Sequence, residues 1–191
     1  MSQLDKEKRI NEVTQIVINK VIKEHFSSNK IIFVCGPMGS GKTTYIKHNL
    51  LQSKMYYYHS IDELIPYFID IESDPRKMYQ LCRSVGIKVT DFLLEKNISM
   101  IIEGTGKNMD MVDYLKRLKQ SGYNIRTIFI TTDLKTCRER VKIRNTQQKH
   151  QVLDEDIIEY YKILWDQDKN MSKIISEVSN DVEFVDNYSI H

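Results

Sequence analysis

The chain has 191 residues, 41% of them hydrophobic and 28% charged, which is enough to bury one full core and is ordinary globular usage. Its 28 Lys and Arg against 26 Asp and Glu leave a formal charge of +2, so any basic patch must be local. Cys35, Cys82 and Cys137 are odd in number, widely spaced and fit no zinc or disulfide pattern, which implies a reducing compartment. The N-terminus mixes Asp5, Lys6, Glu7, Lys8 and Arg9, and no apolar run approaches the ~20 residues of a membrane span, so a cytoplasmic protein without a membrane partner is expected.

In chain order, Asp5 to Phe26 places Ile10, Val13, Val17 and Val21 at helical spacing and predicts an amphipathic helix. Five short apolar runs follow: Ile31 to Cys35, Met55 to His59, Ile98 to Ile102, Arg126 to Ile130 and Val182 to Val185. Helical patterns separate them over Thr43 to Gln52, Arg76 to Lys96, Asp110 to Gln120, Leu134 to Arg144 and Asp154 to Val178. Alternation of this kind predicts an α/β fold, a three-layer sandwich around a five-stranded parallel sheet with an extra N-terminal helix, and the motif G-x-x-x-x-G-K-[ST] at Gly36 to Thr43 makes it one of the P-loop NTPase type. Gly122 follows Ser121 where a helix should stop. Residues 1–29 read as a helical extension and 30–191 as the P-loop domain. In such a sheet, ligands sit beyond the carboxyl ends of the strands.

Gly36-Pro37-Met38-Gly39-Ser40-Gly41-Lys42-Thr43 fits G-x-x-x-x-G-K-[ST] in full, between an apolar run and a helix-like segment. Glycines let successive N–H groups curl inward onto phosphate oxygens, and the helix starting at Lys42 points its positive end at the same spot. These residues, with the adjoining Thr44, are expected to bind ATP. Lys42 would reach the β- and γ-phosphates, and the Thr43 hydroxyl would hold Mg²⁺. The glycine spacing is not G-x-G-x-x-G, and no protein-kinase His-Arg-Asp or Asp-Phe-Gly element occurs.

Two carboxylates fall at strand ends. Ser60 and Glu63 have capping-box spacing, which predicts a helix start with Asp62 in its first turn. There Asp62 either complements the helix dipole or accepts the proton of a substrate hydroxyl. The third apolar run ends in Met100-Ile101-Ile102-Glu103-Gly104-Thr105-Gly106-Lys107, placing Glu103 where a magnesium-bound water or a substrate hydroxyl would lie. Further on, Arg138, Arg140, Lys142, Arg144 and Lys149 form a basic cluster, with Arg140 and Arg144 on one helix face. Arg138 and Lys142 read as a solvated face, and Arg144 as a cation that closes over the nucleotide. The stripe Ile157, Ile158, Tyr161, Leu164 and Trp165 reads as core packing in preference to base stacking.

The phosphate loop, the Ser60-Ile61-Asp62 turn and Ile101 to Lys107 together resemble the zeta-toxin-like kinases, a P-loop group related to polynucleotide 5′-hydroxyl kinases. The resemblance covers about Lys30 to Val185. It implies that Lys42 and Thr43 carry phosphates and Mg²⁺, that Asp62 is the catalytic base, and that Glu103 and Thr105 bind substrate. It also implies that Arg144 stabilises the transferring phosphoryl group. Lys107, also assigned to the substrate, stands where an arginine is common, and Ser60 where an acidic residue is frequent.

The expected function is that of an ATP- and Mg²⁺-dependent kinase, a phosphotransferase acting on a hydroxyl of a small molecule such as a nucleotide-linked sugar. A nucleoside, nucleotide or polynucleotide 5′-hydroxyl kinase is the enzyme alternative, with nucleic acid not favoured by the balanced charge. A nucleotide-binding switch with little turnover is the alternative of another class. A protein inhibitor or a second copy of the chain is a further partner to consider.

Overall fold

The structure is a computed structural model that describes residues 3–22, 29–53, 55–58, 60–147, 152–166 and 170–187. In chain order its elements are α1 (Gln3–Val21), β1 (Lys30–Cys35), α2 (Lys42–Tyr45), α3 (Pro75–Glu95), β2 (Met100–Gly104) and α4 (Met109–Gln120). They continue with β3 (Asn124–Thr131), α5 (Leu134–Gln147), α6 (Asp154–Trp165), α7 (Met171–Val178) and β4 (Asp181–Asp186). The chain divides into two compact units, one of residues 1–28 and 53–100, the other of residues 29–52 and 101–191.

In the first unit, α1 buries the predicted face Ile10, Val13, Val17 and Val21 and packs along α3. Helix α3 starts where its sequence says it should. The Asp74 carboxylate accepts from the N–H groups of Arg76 at 2.9 Å and Lys77 at 3.3 Å, and Pro75 occupies the first turn, where no N–H is needed. Met78, Cys82, Val85, Val89 and Leu93 then form its buried stripe. Two ion pairs tie α1 to the segment before α3: Lys6 to Glu72 at 2.6 Å and Arg9 to Asp70 at 3.0 Å.

The second unit is built on a sheet of order β2-β1-β3-β4, with β1, β3 and β4 parallel. Residues Ile31 to Cys35 are all buried, so β1 is covered on both faces, as its unbroken apolar run requires. The register sets Cys35 opposite Phe129 and Thr131 opposite Asp186, which aligns the carboxyl ends of three strands. Trp165 packs as expected, edge-on to Phe129 at 5.8 Å between ring centres, while Phe129 stacks on Phe184 at 5.0 Å. Gly122, at φ +87°, closes α4 with its N–H on the Lys119 carbonyl. Behind β1, α2 runs for a single α-helical turn, passes into a π-helical turn over Ile46–Leu50 and ends in a 3₁₀ turn over Leu51–Ser53.

Two expectations are corrected. The sheet of the described residues has four strands, not five: the run from Met55 makes one parallel bridge, Tyr57 to Met100, with the Tyr57 N–H on the Ser99 carbonyl at 2.9 Å. Tyr56, Tyr57 and Tyr58 are all half-buried, so the run lacks the alternation of buried and exposed side chains that extends pairing. The pattern from Asp154 to Val178 is two helices. Asn170 at φ +23° accepts from the Lys173 N–H at 3.1 Å and starts α7 afresh. The helix expected to start at Ser60 is present as a 3₁₀ helix, Ile61–Tyr67, with Asp62 in its first turn and the Glu63 N–H donating to the Ser60 carbonyl at 3.0 Å.

Candidate active site

The phosphate loop leaves β1 at Cys35, and the Gly36 N–H donates to the Gly104 carbonyl at 3.3 Å, binding the loop to the end of β2. Gly39 and Gly41 take φ +79° and +93°, a left-handed backbone that other residues rarely adopt. A side chain at Gly39 would also collide with the Cys137 carbonyl, 2.4 Å from its Cβ position. Pro37 supplies a carbonyl to the Ser40 N–H at 3.2 Å and to Lys42 Nζ at 3.0 Å. Met38 packs on the cluster of Cys137, Val141 and Ile157, and Thr44 is exposed on α2.

Lys42 is buried, and burial pushes its pKa below the ordinary 10.5, an effect that Glu103, Cys35 and Cys137 offset in part and the nearby Arg144 reinforces. An ammonium group in that setting is primed for a strong anion. Next to it, the Thr43 hydroxyl donates to Glu103 Oε1 at 2.8 Å. Glu103 therefore reaches the residue expected to hold Mg²⁺. Arg144 is half-buried on α5, and its Nε is buried without a hydrogen-bond partner. A buried donor left unpaired costs roughly 1–3 kcal/mol, and this one is a donor that a bound anion could complete.

Lys42, Thr43, Glu103 and Arg144 thus gather at the carboxyl ends of the strands. Thr105 is half-buried in the loop after β2. Lys107 follows in the same loop, and its ammonium donates to the Tyr160 hydroxyl on α6 and lies 3.7 Å from the centre of that ring. Asp62 belongs to the 3₁₀ helix of the first unit, and its side chain lies outside the described residues, as does Lys149. Arg138 is paired in two places with Asp154, at 2.7 Å each, and is a surface brace. Arg140 does something the sequence did not disclose: it donates to the Gly39 carbonyl at 3.4 Å and to the Asn187 carbonyl at 3.1 Å. The described residues hold no cluster of three or more His, Cys, Asp or Glu side chains able to bind a metal. Magnesium here would rest on Thr43, with the Glu103 carboxylate behind it, together with water and phosphate oxygens, as is usual for this ion.

A left-handed glycine loop with a buried lysine, between a parallel strand and a helix, defines a P-loop nucleotide-binding protein. Residues 31–162 match the family described as AAA domain, and the chain belongs to that family. A search of curated protein sequences finds no match. Among solved structures, the fold is shared with a chain of the PezAT chromosomal toxin–antitoxin system of the human pathogen Streptococcus pneumoniae. There the TM-score is 0.70 at 13% identity, over 100% of this chain and 82% of that one. It is also shared with the AvrRxo1-ORF1:AvrRxo1-ORF2 structure with sulphate ions, at TM-score 0.70 and 10% identity, over 94% of this chain and 62% of that one. The ATP-containing AvrRxo1-ORF1:-ORF2 structure gives TM-score 0.64 and 11% identity, over 90% of this chain and 57% of that one. The chain thus spans about three fifths of its AvrRxo1 counterpart. No described helix is long and apolar enough to cross a membrane.

Proposed function

We propose that the chain is an ATP- and Mg²⁺-dependent phosphotransferase that phosphorylates a hydroxyl group of a small molecule, in the manner of the zeta-toxin-like kinases. The observation that carries this reading is the linkage of Thr43 to Glu103 beside buried Lys42 and unpaired Arg144 Nε. It joins the grip on the nucleotide to the strand end where an acceptor would lie. Phosphoryl transfer suits such an inventory, because it needs positioning and charge stabilisation and no protein nucleophile.

In this reading the loop N–H groups and Lys42 hold the triphosphate, and Thr43 holds Mg²⁺, which would neutralise charge developing on the phosphoryl oxygens. Arg144 adds a second positive charge to the transferring group. Asp62 accepts the proton of the attacking hydroxyl, while Glu103, Thr105 and Lys107 line the acceptor side. Glu103 serves both sides, because its carboxylate already accepts the Thr43 hydrogen bond. The occurrence of this fold in a toxin–antitoxin system makes a protein inhibitor the partner class to test.

Radiolabelled ATP, incubated with pools of nucleotide sugars, nucleosides and 5′-hydroxyl oligonucleotides, tests the reading. Label is expected on a small-molecule hydroxyl and is expected to vanish in Asp62→Asn while ATP binding persists. Tight ATP binding without labelling of any acceptor would leave a nucleotide-binding switch instead.

A further inference from the structure

The back of the phosphate loop is held by a set of hydrogen bonds that neither the nucleotide motif nor the proposed transfer chemistry accounts for. Asn187 directly follows β4 and is buried; its Nδ2 donates to the Ser40 carbonyl at 2.5 Å. Thr132 directly follows β3 and is also buried; its hydroxyl lies 3.3 Å from that same carbonyl and 3.3 Å from the Asn187 carbonyl. Arg140, one helical turn before Arg144 on α5, reaches the Gly39 carbonyl and the Asn187 carbonyl together. The Asn187 N–H closes the set on the Thr131 carbonyl at 2.8 Å. Two consecutive loop carbonyls are therefore held from behind by Arg140 and Asn187, and the Thr132 hydroxyl, whose nearest acceptor is the Thr131 carbonyl at 2.7 Å, lies beside them.

The geometry matters because the peptide unit is planar and trans. A carbonyl and the N–H that follows it point in opposite directions. Holding the Ser40 carbonyl against Asn187 and Thr132 turns the Gly41 N–H to the other side. The packing agrees: a Cβ at Gly41 would lie 2.2 Å from Asn187 Nδ2, so the asparagine sits directly against the loop.

We propose that Arg140 and Asn187 are positioning residues that set the phosphate loop in its anion-binding shape before any nucleotide arrives. The proposal rests on the loop being the nucleotide-phosphate site and is independent of whether phosphoryl transfer follows. Because Arg140 and Arg144 share α5, movement of the helix that bears the phosphoryl-facing arginine also moves the brace on the loop.

The test compares two ligands by calorimetry with Mg²⁺ present, ATP and inorganic tripolyphosphate. Arg140→Met and Asn187→Ala are each expected to weaken both ligands by about fivefold, in equal proportion, since each removes a bond worth about 1 kcal/mol to a shared scaffold. Together they should lose less than the product of the two, because both act on one carbonyl network. Arg140→Lys, which keeps a donor, should recover part of the loss for both ligands. Thr132→Val is the milder variant, and a smaller, equally shared weakening is expected should either larger change prevent folding. Weakened ATP with unchanged tripolyphosphate would overturn the proposal by showing contact with the nucleoside instead. Unchanged binding of both ligands in folded variants would overturn it as well. A wild-type chain that binds neither ligand would remove the phosphate-site reading itself.

Discussion

The Thr43 hydroxyl donates a 2.8 Å hydrogen bond to the Glu103 carboxylate. One residue belongs to the phosphate loop and the other to the end of β2, so a single proton joins the two halves of the candidate site. A carboxylate behind a metal-binding hydroxyl orients it and raises its basicity, and removing such a partner typically weakens metal binding about 10- to 100-fold. Glu103→Gln keeps an acceptor for Thr43 but removes the charge. It should raise the Mg²⁺ concentration for half-saturation by about tenfold or more. Metal-free ATP binding should remain near wild type, and calorimetry with and without Mg²⁺ separates the two effects.

Lys42→Met should divide function from stability. Loss of a charged donor to phosphate costs about 1.5–3 kcal/mol, so ATP affinity should fall about 10- to 100-fold. The apoprotein should melt at or above the wild-type temperature, because a buried ammonium is exchanged for an apolar chain. The pH dependence has a definite sign. The folded pKa is lowered, so below 10.5 the unfolded chain binds more protons at this site, and stability from Lys42 rises with pH through that window. Lys42→Met should remove that rise in apoprotein melting curves.

The thiols act in the opposite direction. Burial pushes Cys35 up to about 12 and Cys137 up to about 11, from an ordinary 9.0. Folded-state pKa values above the unfolded one mean that their contribution is intact below pH 9.0 and is lost as pH climbs towards 11 and 12. All three cysteines are buried. Iodoacetamide at pH 8 should therefore leave the native chain unlabelled and modify all three once denaturant is added. Mass spectrometry reads the result.

Tyr160→Phe should affect the acceptor side alone. It removes the hydroxyl that receives the Lys107 ammonium and leaves the ring beneath it. A shift of about 1 kcal/mol, roughly fivefold, is expected in the KM of the acceptor. The KM of ATP should not change. Equal changes in both constants would show that the pair braces the whole site and has no special part in acceptor binding.

Much of this site was legible because its chemistry is local in sequence. Gly36 to Thr43 is one continuous motif, and Glu103 is marked by the three apolar residues before it. The phosphate-loop brace was not legible, since its bonds run between residues 101 and 147 positions apart and Asn187 carries no motif. Among the described residues, the single bridge where a fifth strand was expected reflects three tyrosines that suit a pleated surface but are only half-buried. The break between α6 and α7 had a signal in Asp166 and Asn170, residues that favour turns, but the apolar stripe on either side concealed it.

The π-helical turn at Ile46–Leu50 bears on how this chain can change over evolutionary time. A π turn arises most simply as one extra residue accommodated in an α-helix. Dropping one residue there would return the turn to α-helical winding, leaving the backbone ahead of Tyr45 where it is. Dropping one residue between Gly36 and Thr43 would destroy the spacing on which phosphate capture depends. Length variation among descendants of this sequence should accordingly be tolerated behind the loop and forbidden within it.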